Sequence, residues 1–224
     1  MTLSYNVSRS GPCWSDLHWN RKPALDFDSA TPSVVRSIKQ RDLLNTWLRL
    51  YAREPSLPRI DEFQPARIED ELTDLVFLTV DASCDPAGIT IQSGGTRVTS
   101  AFGNPGKGRD LEDYLGARLA PMVVPIYRQC IARRLPAYSI SHIDDASGRV
   151  VAHERLLLPF SEGSDVTHIV ASLKTICEDG GFQIQNLMRG SDKLPVRKLL
   201  AIIDRDLSHC SPGRIPADDV IEFT

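Results

Sequence analysis

The chain has no run of about 18 consecutive apolar residues, so no segment of it reads as a membrane-spanning helix. It has little net charge: 26 Lys and Arg against 29 Asp and Glu leave −3 over 224 residues. A broad basic field for phosphate backbones is missing, so nucleic acid is not an expected partner. The densest basic cluster, Arg128, Arg133 and Arg134, reads as a solvated helix face. Cysteines are few. Cys13, Cys84, Cys130, Cys177 and Cys210 are odd in number, widely spaced and without a CxxC pair. Neither a disulfide framework nor a zinc ribbon fits that pattern, whereas free thiols in a reducing compartment do. Met1 to Asn20 lacks the apolar centre of a signal peptide, and the expected location is cytoplasmic. GxSxG, HExxH and P-loop motifs are missing, and no nucleophile, base and orienting group can be picked out. No enzyme activity is expected, and no catalytic residue is named.

What the chain does contain is an ordinary globular composition, 42% hydrophobic and 25% charged. Residues 1–32 carry Gly11, Pro12, Pro23 and Pro32 and read as an irregular arm, although Trp14, Trp19 and Phe27 are unusual in a free tail. Ser33 reads as the N-cap of a helix running to about Arg53, with Leu44, Trp47, Leu48 and Tyr51 on one face. Pro55 and Pro58 end it. A short helix near Pro65–Leu72 leads into an apolar strand, Leu75–Asp81, and a hairpin partner, Gly88–Gln92. Glycines then punctuate two short helical pieces, Thr96–Phe102 and Asp110–Leu115. After Gly116 a longer helix runs to about Leu135, its stripe made by Leu119, Met122, Val123, Ile126 and Cys130. Pro125 is expected to bend that helix or delay its start.

Three strands follow, at about Ala137–Ile143, Arg149–Phe160 and Val166–Cys177. The domain is expected to span residues 33–180 and the tail 181–224. In the tail, Val196, Leu199, Leu200, Ile203 and Leu207 repeat at helical spacing behind Pro195. This tail helix is expected to bury its apolar face on its own domain or on a second copy; docking of an output protein is the competing reading. The whole order, with strands interrupted by a helical insert, predicts an α+β fold: an antiparallel sheet with helices on one face.

Several short pieces recur in a recognisable order. Trp47 and Arg53 lie on the opening helix. Pro58-Arg59-Ile60-Asp61 leads through Pro65 and Leu72 to LVFLTVD. Gly95-Thr96, Phe102-Gly103 and Gly108 come next, then Arg134-Leu135-Pro136, and finally ERLLLPFSEGSDV from Glu154 to Val166. By these pieces the chain resembles PAS domains, and among them a bacterial family of short stand-alone PAS proteins, over about Leu43–Ile176. It departs from that family at Ile89–Gly94 (ITIQSG), which places Gln92 near the position of an expected Arg. The resemblance implies a five-stranded sheet in the spatial order 2-1-5-4-3, a pocket between one face and the short helices, and an opening helix that commonly mediates dimers. It also implies sensing of small ligands or binding of partner proteins.

Cofactor chemistry finds little footing. PAS haem sensors resemble each other in taking an axial His from the long helix, and Gly116–Leu135 has none. The Asn-Cys-Arg motif of a flavin photosensor is missing; Cys84 falls in a turn and Cys130 on an apolar stripe. His142, Asp144, Asp145 and His153 surround one hairpin, where strand register decides whether the histidines share a face. They read as a solvated hairpin, and the glycine-rich GNPGKG of Gly103–Gly108 as a mobile loop. No metal or other cofactor is expected.

The expected pocket lining is Phe77, Thr79, Val98, Phe102, Met122, Ile126, Tyr138, Ile140 and Leu156, enclosing either a ligand cavity or a filled core. The expected dimer interface is Val35, Ile38, Leu43, Trp47 and Leu50. The function expected is a sensory and signalling module that binds a small ligand or partner protein and transmits the change through a homodimer, with an output signalling protein as a further partner. A ligand-free dimeric adaptor is the alternative. A cone-shaped α+β enzyme is a weaker rival, because the early hairpin at Leu75–Gln92 does not suit that fold.

Overall fold

The computed structural model describes residues 26–53, 56–66, 68–178, 180–190, 193–204 and 206; the expectations placed on Trp14, Trp19 and Leu207 lie outside them. Along the described chain the order is β1 (Asp28–Ala30), α1 (Ile38–Arg53), α2 (Ile68–Glu71), β2 (Leu75–Asp81), β3 (Gly88–Gly94), α3 (Thr96–Phe102) and α4 (Leu111–Arg133). Then come β4 (Ala137–Asp144), β5 (Val150–Ser161), β6 (Val166–Ile176) and β7 (Val196–Ile203). The strands form one sheet in the order β1-β7-β4-β5-β6-β2-β3. All pairings are antiparallel except β1 with β7.

The expectation of five antiparallel strands is corrected to seven in a mixed sheet, whose order differs from the expected one by two added strands while the five keep the order 2-1-5-4-3 among themselves. The five strands read from the sequence form a contiguous block, β4-β5-β6-β2-β3, and the two additions lie beyond β4. One addition replaces the tail helix. Val196–Ile203 pairs with β4, with Leu200 opposite Ser139 and Ile202 opposite Ala137. The run Leu199-Leu200-Ala201-Ile202-Ile203 packs on both faces of the sheet. A strand buried on both sides loses its alternation, and its apolar run then matches helical spacing by chance. The other addition, β1, falls inside the stretch read as an irregular arm and pairs along Ala201–Ile203.

Helices cover both faces, which corrects the one-sided arrangement. Directly opposed residues share a face, so the register sorts the strands. Leu75, Phe77, Thr79, Tyr138, Ile140, Glu154, Leu156, Val170, Ser172 and Lys174 point to the α1 side. Val76, Leu78, Ser139, His153, Arg155, Leu157, Ala171 and Leu173 point to the side of α3 and α4. The helix expected from Ser33 starts later. Pro32–Val34 is a single 3-10 turn, and α1 begins at Ile38, with the Ser37 hydroxyl accepting from the Gln40 amide at 3.4 Å.

Helix α4 opens on a strong cap, Asp110, whose carboxylate accepts from the amides of Glu112 and Asp113 at 2.7 and 3.3 Å. It is broken at Gly116, where φ 71° and ψ 171° interrupt the helix, and both Pro121 and Pro125 lie within the span. The two helical pieces read from the sequence meet there.

Helix α1 is fixed to the sheet by more than apolar contact. The Trp47 indole N–H donates to the Pro159 carbonyl at 2.7 Å, and the Gln40 amide donates to the Ser172 carbonyl at 2.9 Å. Pro159 is tolerated within a central strand because β4 pairs with β5 only as far as Leu157, so the missing proline donor falls beyond that neighbour. Trp47→Ala is expected to cost about 3–5 kcal/mol of stability. Trp47→Phe, which keeps an aromatic ring but withdraws the donor from Pro159, is expected to cost about 1–3 kcal/mol. Urea unfolding of the two variants checks this; an unchanged midpoint in both would show that the indole does not hold α1 in place.

Candidate functional site

The sheet divides the nine residues expected to line one pocket. Val98 and Phe102 on α3, and Met122 and Ile126 on α4, belong to one side. Phe77, Thr79, Tyr138, Ile140 and Leu156 lie on the face that α1 covers. They do not come together around a common cavity. The physical reason is that LVFLTVD and the later strands are apolar on both faces, so a period of two cannot say which set faces which helices. The expected dimer residues are also divided. Val35, Leu43 and Trp47 are buried within the protomer, Leu50 is half-buried, and Ile38 is 68% exposed.

Beneath α3 the interior is nearly full. A cavity of about 10 Å³ remains, lined by Arg97, Val98, Ala101, Phe102, His153, Leu173, Thr175 and Ile184. That is room for one water molecule. The segment after β6 closes it from outside. Asn186 and Met188 donate their amides to the carbonyls of Ser100 and Ala101 on α3 at 2.8 and 2.9 Å. Arg189 donates to the Tyr114 carbonyl at 2.6 Å.

Polar groups stand on this face that the sequence reading did not single out together. Arg155 is 3% exposed, its guanidinium carbon lies 6.0 Å from the centre of the Tyr127 ring, and its Nε has no hydrogen-bond partner. Burial pulls the guanidinium below its ordinary value and pushes the Tyr127 hydroxyl up. His153 is the neighbour on the same strand face, 3% exposed. The signal was available: in ERLLLPF, two ionisable residues enter a strand that is otherwise apolar throughout. Adjacent residues in a strand must point to opposite faces, so Glu154 and Arg155 cannot neutralise each other across the sheet. Glu154 instead accepts from the Tyr138 hydroxyl at 2.9 Å on the α1 side.

His142 and His153 also fall on opposite faces, since His142 opposes Ala152 while His153 opposes Ser141. They do not share a ligand. Among the described residues no group of three metal-ligating side chains is assembled. Asp145 caps its own turn, accepting from the amides of Ser147 and Arg149 at 2.8 and 2.9 Å, while Asp144 pairs with Lys193. Gln92, near the position of the expected Arg, donates to the Thr79 hydroxyl at 2.9 Å.

At one end of the sheet an ionic cluster with a buried centre joins α1, α2, α3, β6 and the 3-10 turn Leu72–Asp74. Lys174 of β6 contacts Glu71 and lies 2.6 Å from Asp74; Lys39 of α1 reaches Glu71 at 2.8 Å; Arg97 of α3 reaches Asp74 at 3.3 Å. Burial by itself would raise the Glu71 carboxyl, but hydrogen bonds from Lys174 and Lys39 outweigh it and hold the group below its ordinary value. Gly95 fits the same corner tightly, because a Cβ there would lie 2.2 Å from the Leu72 carbonyl oxygen. Outside the cluster, α1 and the Pro65–Glu71 segment enclose a groove of about 870 Å³. Its lining includes Ile38, Asp42, Leu48, Arg49, Pro65 and Ala66.

His153 makes the interior sensitive to acid. Burial, and then the charge of Arg155, push it down to about 3 from an ordinary 6.5. The folded protein keeps the imidazole neutral where the unfolded chain already takes a proton, so stability falls as pH drops from about 6.5 towards about 3. His153 alone is expected to remove about 2 kcal/mol between about pH 7.5 and about pH 5. Denaturant unfolding of wild type and His153→Gln at both pH values measures it. An equal loss in both proteins would assign the acid sensitivity elsewhere.

The family model of the PAS domain matches residues 35–173. No curated protein and no solved structure gave a significant match. The matched stretch takes in α1, α3, α4, β2 to β5 and β6 as far as Leu173, and every member of the ionic cluster except Lys174, which lies one residue beyond it. The chain belongs to the PAS domain family.

Proposed function

We propose that this protein is a sensory and signalling module that binds a small ligand or partner protein and passes the change on through a homodimer. The observation that carries this reading is the chain of ion pairs Arg97–Asp74–Lys174–Glu71–Lys39. Arg97 lines the small cavity, whereas Glu71 and Lys39 line the α1 groove. The two regions therefore share one electrostatic network, buried at Glu71, Asp74 and Lys174 and exposed at its two ends. A shift of α3 would change the partners of Asp74, and with them the balance of charge around Lys174 and α1.

The groove suits a second copy of the chain. Its apolar residues are flanked by charges of both signs, Lys39 and Arg49 with Asp42 and Asp70, so a two-fold axis can set each charge against its opposite. The small size of the cavity favours the second reading, a dimeric adaptor without a ligand. Among the described residues no helix is long and apolar enough to cross a membrane.

Light scattering on the purified protein is expected to give twice the 24.9 kDa of one chain. Ile38→Asp places a charge on the most exposed large apolar residue of α1 and should yield monomers whose circular dichroism is that of wild type, with only the stabilisation owed to association lost. A wild-type monomer at micromolar concentration would remove the homodimer from the proposal, and a dimer that survives Ile38→Asp would move the interface away from the groove.

A further inference from the structure

We propose that Arg155, His153 and the cavity beneath α3 form a receiving site for a small monocarboxylate with a short apolar tail. The inference deepens the sensory reading by naming a ligand class, and it rests on that reading only for its biological meaning. Arg155 is the starting point. It is 3% exposed, its Nε lacks a partner, and none of the described ion pairs includes it. A buried cation without a counter-ion carries a desolvation cost that an entering anion offsets.

The nearest acid along the chain, Glu154, points to the other side of the sheet. The neighbours of Arg155 are instead neutral: Ser139 and Leu173 stand directly opposite it on β4 and β6, and Tyr127 lies beneath it on α4. A guanidinium presents a planar fork that a carboxylate matches with two parallel hydrogen bonds. His153 presents a neutral imidazole on the same face, with its ring already meeting its own backbone carbonyl.

Arg155 does not itself line the present cavity, which lies beside it at His153 and Leu173, and the cavity walls set the rest of the ligand. Val98, Phe102, Leu173 and Ile184 are apolar and suit an alkyl tail. The present volume of about 10 Å³ holds no organic anion, so the tail enters by displacing Ile184 and its neighbours. That segment, 182–190, is held to α3 by the amides of Asn186 and Met188 and to α4 by Arg118 and Arg189, and it leads on to β7. Entry of the ligand thus loosens the segment that precedes β7 in the chain.

Sodium butyrate and its neutral isostere butyramide are the probes, applied to the full chain in a thermal-unfolding titration. Butyrate is expected to raise the melting temperature saturably and butyramide is not. Arg155→Gln removes the guanidinium and its desolvation cost together; it is expected to fold and to weaken butyrate binding by roughly tenfold or more. Val98→Phe keeps Arg155 and fills the wall, and it should lose the response while circular dichroism stays that of wild type. No saturable shift in wild type, an equal shift with butyramide, or an unchanged response in both variants would overturn the site. Butyrate binding to a protein that light scattering shows to be monomeric would leave the site standing and remove only the homodimer; a dimer without butyrate binding would do the reverse.

Discussion

Burial of strand β5 on both faces is the constraint from which the rest of the structure follows. From His153 to Ser161 every residue of this strand is buried. A strand of that kind is unstable until each face is covered, because about 25 cal/mol is at stake for every Å² of apolar surface left in water. Helix α4 supplies one cover and α1 the other. Helix α1 therefore belongs to the core: Leu43, Leu44 and Trp47 are each 1% exposed or less. The bond from Trp47 to the Pro159 carbonyl fixes where along the strand the helix sits. The surface left for a partner is then the opposite side of α1, with Ile38 and the groove to Pro65, and not the stripe that a sequence pattern makes most apolar.

The same double burial explains what was legible in the sequence and what was not. Helix α3 could be read to its ends because Gly95 and Gly103 bound it, and Gly103 adopts the left-handed conformation of a C-cap. The hairpin of β2 and β3 and the three later strands were marked by turn residues at Asp85-Pro86, Asp145–Gly148 and Glu162–Gly163. The faces were not legible. Tyr138 and Leu156 oppose each other and turn to α1, yet nothing in AYSISHID or ERLLLPF distinguishes that side from the other. Strand β7 was hidden for the same reason: its last five residues pack on both sides of the sheet. Position 38 could not be foreseen as the helix start, because Pro32 and Ser33 make an equally good opening by local rules, and only the contact of Arg36 with Tyr138 shows that the chain is still crossing the sheet there.

Two kinds of buried charge meet in this fold, and they are treated differently. At the end of the sheet Lys174 is neutralised twice over, by Glu71 and Asp74, and the surplus negative charge is met by Lys39 and Arg97 from the rim. Such a cluster is strongly destabilised if one member is removed, though the intact set adds little over an apolar core. Its structural effect is to fix geometry: α1, α2, α3 and β6 are joined at one point, and Gly95 allows the approach by having no side chain to clash with Leu72. Within the α4 face, by contrast, Arg155 is accommodated only by an aromatic ring and a hydroxyl.

The contrast follows from the alternation of a strand. Glu154, Arg155 and His153 are consecutive in the chain, but the sheet separates Glu154 from the other two by the thickness of its own backbone. An arginine so placed cannot be satisfied by the nearest acid, and no described residue of α3, α4 or the 182–190 segment forms an ion pair with it. Substituting a neutral residue would be the simpler way to fill the space, since replacing a buried charge by an apolar group of similar size is often neutral or stabilising. The residue that occupies the position instead carries a permanent charge, a fork of donors and a cost in stability. Its neighbour His153 adds a second cost that appears only on acidification. Both costs fall on the face closed by α3, and α3 is the element that Arg97 ties to the ionic cluster and so to α1. A charge introduced beneath α3 therefore acts on the one helix whose position is shared between the interior and the groove.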